Sequence, residues 1–105
     1  MNRPRIEVPQ QALDAFCRKW KITEFAFFGS VVRDDFGPDS DVDVLVSFDP
    51  TVRYGLFDLV HMEDELRGIF GRDVDLVTRK SVERSTSEWR RNAVLNSLSH
   101  VALAS

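Results

Sequence analysis

The sequence predicts an α/β (α+β) fold, a small β-sheet backed by helices. Three observations carry that prediction. Apolar, β-prone runs at residues 22–28, 41–48 and 74–78 alternate with segments of helical period. Gly and Pro punctuate the junctions between them. The chain has 105 residues, enough for one domain (1–105) and too few for two, with eight Phe and two Trp to fill one core.

Residues 1–8 read as an extended arm. Pro9 suits the first turn of a helix, and Leu13, Phe16, Cys17 and Trp20 then recur at helical spacing. Ile22 to Phe28 reads as the first strand. Ser30 to Phe36 reads as a short helix or turn, closed by Gly37-Pro38. Asp41 to Phe48 is the second strand, with Val42, Val44 and Val46 alternating on one face, and Asp49-Pro50 ends it. Gly55 to Phe70 is the clearest helix: Leu59, Met62, Leu66 and Phe70 line one stripe, Glu63 and Arg67 form an i,i+4 pair, and Gly71 caps the C-terminus. Val74 to Thr78 is the third strand. Ser85-Thr86-Ser87-Glu88 has the form of a capping box and opens a last helix carrying Trp89, Val94, Leu95, Leu98 and Val101.

The formal net charge of −3 gives no general attraction to nucleic acid or an anionic membrane. Cys17 is the sole cysteine, so an internal disulfide is excluded, and it reads as a small core residue. The N-terminus has no apolar signal region and no run is long enough to span a membrane. A cytoplasmic protein is expected.

The chemistry concentrates in one stretch. An apolar run ends in Gly29-Ser30; ten residues later Asp41-Val42-Asp43 opens the next strand, and Asp75 lies inside the third. Side chains alternate along a strand, so Asp41 and Asp43 point to one face, with Cα atoms about 6.5–7 Å apart. At an effective dielectric of about 20, two such charges repel by roughly 2 kcal/mol. A divalent cation relieves that repulsion, and carboxylate-only ligation favours Mg²⁺ or Mn²⁺ over zinc. Three aspartates can share two ions in a site suited to in-line phosphoryl displacement. The plainer reading of the pair is solvated charge at a strand start; Val44-Leu45-Val46, running on into a core, argues against it. A calcium loop beginning at Asp39 would need Gly and Glu where Val44 and Pro50 stand. Asp73 is a decoy near Asp75; the latter is preferred because it lies within the apolar run. Gly29 lets backbone approach a ligand, the following helix start offers N–H groups to an anion, and Ser30 adds a hydroxyl. Arg33, one turn on, reads equally as a phosphate contact and as a surface residue.

These residues resemble the nucleotidyltransferase superfamily of the DNA polymerase β type, whose motif is Gly-Ser, ten residues, Asp-x-Asp and a later third Asp. The chain looks like its smallest branch, the minimal nucleotidyltransferases of bacteria and archaea. Phe28-Gly29-Ser30, Arg33, the run Pro38 to Val46, Gly55 to Leu59 and Gly71 to Thr78 carry the likeness, which extends from about residue 6 to about residue 104. The resemblance implies a nucleotidyltransferase palm, a small mixed sheet with helices on one side. It implies transfer of AMP from ATP to an acceptor hydroxyl, with Asp41 and Asp43 holding two Mg²⁺ ions, Asp75 completing the catalytic site, and Gly29 and Ser30 holding phosphates. It also implies a partner: a HEPN-domain toxin, adenylylated on a tyrosine and thereby neutralised.

Three function classes follow: a protein adenylyltransferase acting as antitoxin, a non-catalytic antitoxin that occludes its toxin, and a nucleotidyltransferase for a small molecule such as an aminoglycoside. The intact aspartate triad favours the first. His61 and His100 lack a second ligand at metal spacing. Trp20, Trp89 and the Phe set read as core, and Arg90-Arg91 as a solvated helix face.

Overall fold

The computed structural model describes residues 8–29, 37 and 40–103. Along these the elements are α1 (Gln10–Lys19), β1 (Ile22–Phe28), β2 (Val42–Phe48), α2 (Leu56–Phe70), β3 (Val74–Thr78), α3 (Arg79–Glu83), α4 (Glu88–Leu95) and β4 (Ser99–His100). The expected short helix or turn at 30–36 lies outside the described residues.

The four described strands form one mixed sheet in the order β3-β2-β1-β4. β1 pairs antiparallel with β2 and with β4, and β2 pairs parallel with β3. A parallel pair needs a crossover, and α2 supplies it. Its Met62 and Leu66 are fully buried, and Gly71 ends it in the left-handed region at φ +68°. On that face Phe25, Phe27, Val42, Val44, Val46 and Val74 meet Leu13, Phe16 and Cys17 of α1. Each large side chain so buried contributes about 1.5–3 kcal/mol. Burial pushes the Cys17 thiol up to about 12.

The second face is covered as well, by a smaller cluster of Phe28, Leu45, Val82 and Val94. This departs from the expectation of helices on one side. Leu45, alternating with the valines, is itself fully buried, so β2 needs cover on both faces.

The C-terminal third differs most from the sequence reading. Thr78 caps a separate helix, α3, its hydroxyl accepting from Ser81 N at 3.1 Å. The cap of α4 is Ser87 rather than Ser85: Ser87 Oγ accepts from Arg90 N at 3.2 Å, while Ser85 Oγ takes the Ser87 N–H. α4 stops at Leu95, so Leu98 and Val101 lie beyond it. The open edge of β1 captures that segment as β4, with Val101 N donating to Phe25 O at 2.9 Å. Trp89 is 81% exposed and Phe57 85%, so neither belongs to the core. Trp20 does pack against it, its indole N–H donating to Glu65 at 2.5 Å.

Glu24 at the start of β1 ties four elements together. It accepts two hydrogen bonds from Arg79, at 2.8 and 2.6 Å, and one from Ser47 at 2.7 Å; His100 Nε2 stands 2.7 Å away. The Arg79 fork, aided by His100 and Ser47, holds the carboxyl down at about 2.

Candidate active site

β1 ends at the edge of the sheet where β2 and β3 begin. The register opposes Phe28 to Asp43, and Asp43 to Asp75. Paired positions on neighbouring strands share a face, with strand axes about 4.8 Å apart, so Asp43 and Asp75 sit side by side. Asp41 lies two residues before Asp43, one ahead of the strand, on the same alternation. Asp43 is half-buried; Asp41 and Asp75 are exposed.

Gly29 closes onto this group. Its φ is +70°, and a Cβ there would stand 2.3 Å from Asp43 Oδ2 and 3.2 Å from Cγ. The turn leaving β1 is therefore packed directly on the carboxylate, and its left-handed φ favours glycine there. The Gly29–Asp43 pairing of the sequence motif is thus a physical contact. Ser30 and Arg33, the other expected phosphate-binding residues, lie outside the described residues.

Arg72 is a residue the motif reading passed over. Its Nη1 donates to the carbonyls of Gly37 at 2.7 Å and Ser40 at 3.3 Å. Ser40 Oγ accepts from Gly37 N at 3.0 Å, and Val42 N donates to Asp73 O at 2.9 Å. Together these bonds pin the chain just ahead of Asp41 to the entry of β3. The available signal was Gly71-Arg72-Asp73, a basic residue between a helix cap and a strand. Asp73 itself is turned away, 81% exposed and 3.8 Å from Arg67 Nε.

Among the described residues, no three His, Cys, Asp or Glu side chains are gathered tightly enough to enclose a metal ion. The donor set at this sheet end is nonetheless carboxylate oxygen only. Mg²⁺ keeps few protein ligands and takes further oxygens from substrate phosphates. Asp41, Asp43 and Asp75 offer the kind of oxygen donor that a hard divalent cation takes, set at neighbouring strand starts.

The remaining candidates do not converge here. His100 stands on Glu24 at the opposite end of β1, and Arg91 donates to Ser85 O at 3.0 Å. His61 and Arg90 are exposed. No described helix is long and apolar enough to cross a membrane.

Known proteins resemble this chain in sequence and in fold. Protein adenylyltransferase MntA of Thermococcus cleftensis is 35% identical over 65 residues, 62% of this chain and 64% of that protein. A protein of Methanocaldococcus jannaschii provisionally named protein adenylyltransferase MJ1379 is 34% identical over 64 residues, 61% of this chain and 64% of its own length. The matched part thus spans under two thirds of these relatives. A solved structure described provisionally as a minimal nucleotidyltransferase superposes with a TM-score of 0.64 at 28% identity, over 90% of this chain and 88% of that one. A toxin–antitoxin crystal structure with AMP-PNP gives 0.69 at 19% identity, over 92% and 75%, a likeness of fold. Residues 9–98 match the family model for the nucleotidyltransferase domain, and the chain belongs to that family.

Proposed function

We propose that this chain is a protein adenylyltransferase that transfers AMP from ATP to a tyrosine hydroxyl of a HEPN-domain toxin and so acts as its antitoxin in the cytoplasm. The observation that carries the reading is the Asp43 carboxylate, held against Gly29 on one side and placed beside Asp75 on the other. The family and the names of the sequence relatives support the reaction class. The fold neighbour solved as a toxin–antitoxin pair with an ATP analogue motivates the partner.

In this reading the acceptor oxygen attacks the α-phosphorus of ATP. The bond from that phosphorus to its bridging oxygen breaks, and pyrophosphate leaves. Asp75, exposed and beside Asp43, takes the hydroxyl proton. Asp41, Asp43 and Asp75 would hold two Mg²⁺ ions, which when bound neutralise phosphate charge and stabilise the attacking and leaving oxygens. Gly29 brings backbone to within reach of the β- and γ-phosphates, and Ser30 and Arg33 add donors. Positioning and charge stabilisation, rather than covalent catalysis, supply the rate.

Intact-mass spectrometry of the HEPN partner after incubation with ATP and Mg²⁺ tests the proposal. An AMP mass increment is expected, lost in Asp41→Ala and Ser30→Ala. A partner that gains no such mass, yet is still neutralised by Asp41→Ala, overturns it in favour of occlusion.

A further inference from the structure

Of the three site carboxylates, two are carried by paired strand residues: Asp43 stands opposite both Phe28 and Asp75 in the ladder. Asp41 is not. It precedes β2, which starts at Val42, and it is exposed. Its backbone is held from elsewhere. On the C-terminal side, Val42 N donates to Asp73 O at 2.9 Å. On the N-terminal side, Ser40 closes a turn back to Gly37: Ser40 N donates to Gly37 O at 3.1 Å, and Gly37 N to Ser40 Oγ at 3.0 Å. Arg72, half-buried, grips both ends of that turn with one guanidinium nitrogen, Nη1, which is 2.7 Å from Gly37 O and 3.3 Å from Ser40 O. A charged donor makes the stronger kind of bond to a carbonyl. The two peptide groups that flank Asp41 are thus tied to two consecutive residues, Arg72 and Asp73. Those residues are themselves fixed. Before them Gly71 N donates to Arg67 O at 2.7 Å at the end of α2, and after them Val74 pairs with Val42.

We propose that Arg72 is a positioning residue for nucleotide binding. Through the carbonyls of Gly37 and Ser40 it fixes Asp41 relative to Asp43 and Asp75 before any ligand arrives. The proposal rests on the reading that these aspartates serve nucleotidyl transfer. The sheet ladder places Asp43 and Asp75 without help, whereas a residue ahead of a strand must otherwise be ordered at the moment of binding, at an entropic cost to affinity. Arg72 removes that cost for Asp41. It does so from β3, the strand that carries Asp75, so the entry to one strand sets the geometry of the carboxylate ahead of the other. Groups that orient a site's ligating side chains in this way affect affinity without touching the ligand.

Two measurements on the full chain test it. Hydrogen exchange without ligand reads the turn: the Ser40 amide should exchange several times faster in Arg72→Met, while amides within β2 keep their rates. Calorimetry with ATP and Mg²⁺ reads the site: Arg72→Met should weaken binding about tenfold. The same change made in Asp41→Asn should cost less than about twofold, because the residue it positions is already disabled. Arg72→Lys keeps the charge without the planar fork, and its ATP affinity should follow the protection of its Ser40 amide. Equal losses with and without the Asp41 carboxylate overturn the proposal, since Arg72 would then act on the nucleotide directly. ATP affinity restored by Lys with Ser40 still unprotected overturns it in favour of bare charge. Faster exchange throughout β2 in Arg72→Met makes the residue part of the fold and overturns it as well. Unchanged ATP binding in Arg72→Met, with Asp41→Asn still harmful, sinks only the role of Arg72. A wild-type chain that binds no ATP with Mg²⁺ sinks the transfer reading, and the proposal with it.

Discussion

Replacing Gly29 by Ala probes the candidate site through a contact measured in the structure. The added Cβ would lie 2.3 Å from Asp43 Oδ2 and 3.2 Å from Cγ. Two costs add. Holding a non-glycine residue in the left-handed region costs roughly 1–2 kcal/mol, and forcing the carboxylate aside costs roughly 1–3 kcal/mol more. Unfolding entropy for a chain of this size converts each kcal/mol into about 4–5 °C, so the melting temperature should fall about 8–25 °C. Asp43→Ala separates the two costs, because Asp43 Cβ stands 3.5 Å from the same point, an ordinary contact. In that background Gly29→Ala should cost only the backbone strain, which gives a coupling of about 1–3 kcal/mol in a double-mutant cycle by denaturant titration. Nucleotide binding by the single variant, measured by calorimetry with ATP and Mg²⁺, should weaken beyond what the lost stability explains. A coupling within about 0.3 kcal/mol of zero would refute the claim that Gly29 is built against Asp43.

Other outcomes follow from the same geometry. Asp41→Asn with Asp43→Asn should abolish Mg²⁺-dependent ATP binding in calorimetry, and an unchanged affinity sinks the metal assignment. The Glu24 carboxyl is held at about 2 from an ordinary 4.5, chiefly by Arg79. Its stabilisation is therefore full above pH 4.5 and lost as pH falls toward 2; Glu24→Gln should flatten that part of the stability–pH curve, of order 2 kcal/mol, in denaturant titrations. Glu63 Oε2 accepts the Leu76 N–H of edge strand β3 at 3.0 Å, so Glu63→Ala should cost about 1 kcal/mol and speed hydrogen exchange at Leu76. Trp89→Ser should move stability by no more than about 0.5 kcal/mol, and a larger loss would return that side chain to the core.

The first three strands and the two long helices were legible because each has one dominant local signal. Strand runs 22–28 and 74–78 match to the residue, and the left-handed Gly71 was expected from its place after the Leu59–Met62–Leu66 stripe. The convergence of Asp43 with Asp75 follows from the strands once β2 and β3 pair in parallel, and alternation puts Asp41 with them. What escaped was set by tertiary competition. Leu98 and Val101 continue a helical period, but the unpaired edge of β1 offers backbone hydrogen bonds that a fraying helix end does not, and β4 results. Ser85 and Ser87 are both competent caps, and Thr78 had already claimed the preceding turn for α3. Arg72 and Glu24 were invisible as site and scaffold because their partners, at Gly37, Ser40, Arg79 and His100, lie far away in sequence.

The single thiol, Cys17, is 4% exposed on the buried side of α1, and burial holds its proton to about 12. Only the thiolate attacks disulfides or alkylating reagents. In the folded chain this sulfur is thus both shielded and chemically silent, while in the unfolded chain it regains an ordinary thiol's reactivity. The protein consequently carries its own unfolding clock. Under native conditions the rate at which a thiol-specific reagent consumes Cys17 reports how often the α1 layer opens, with no label introduced and nothing altered at the carboxylate end of the sheet.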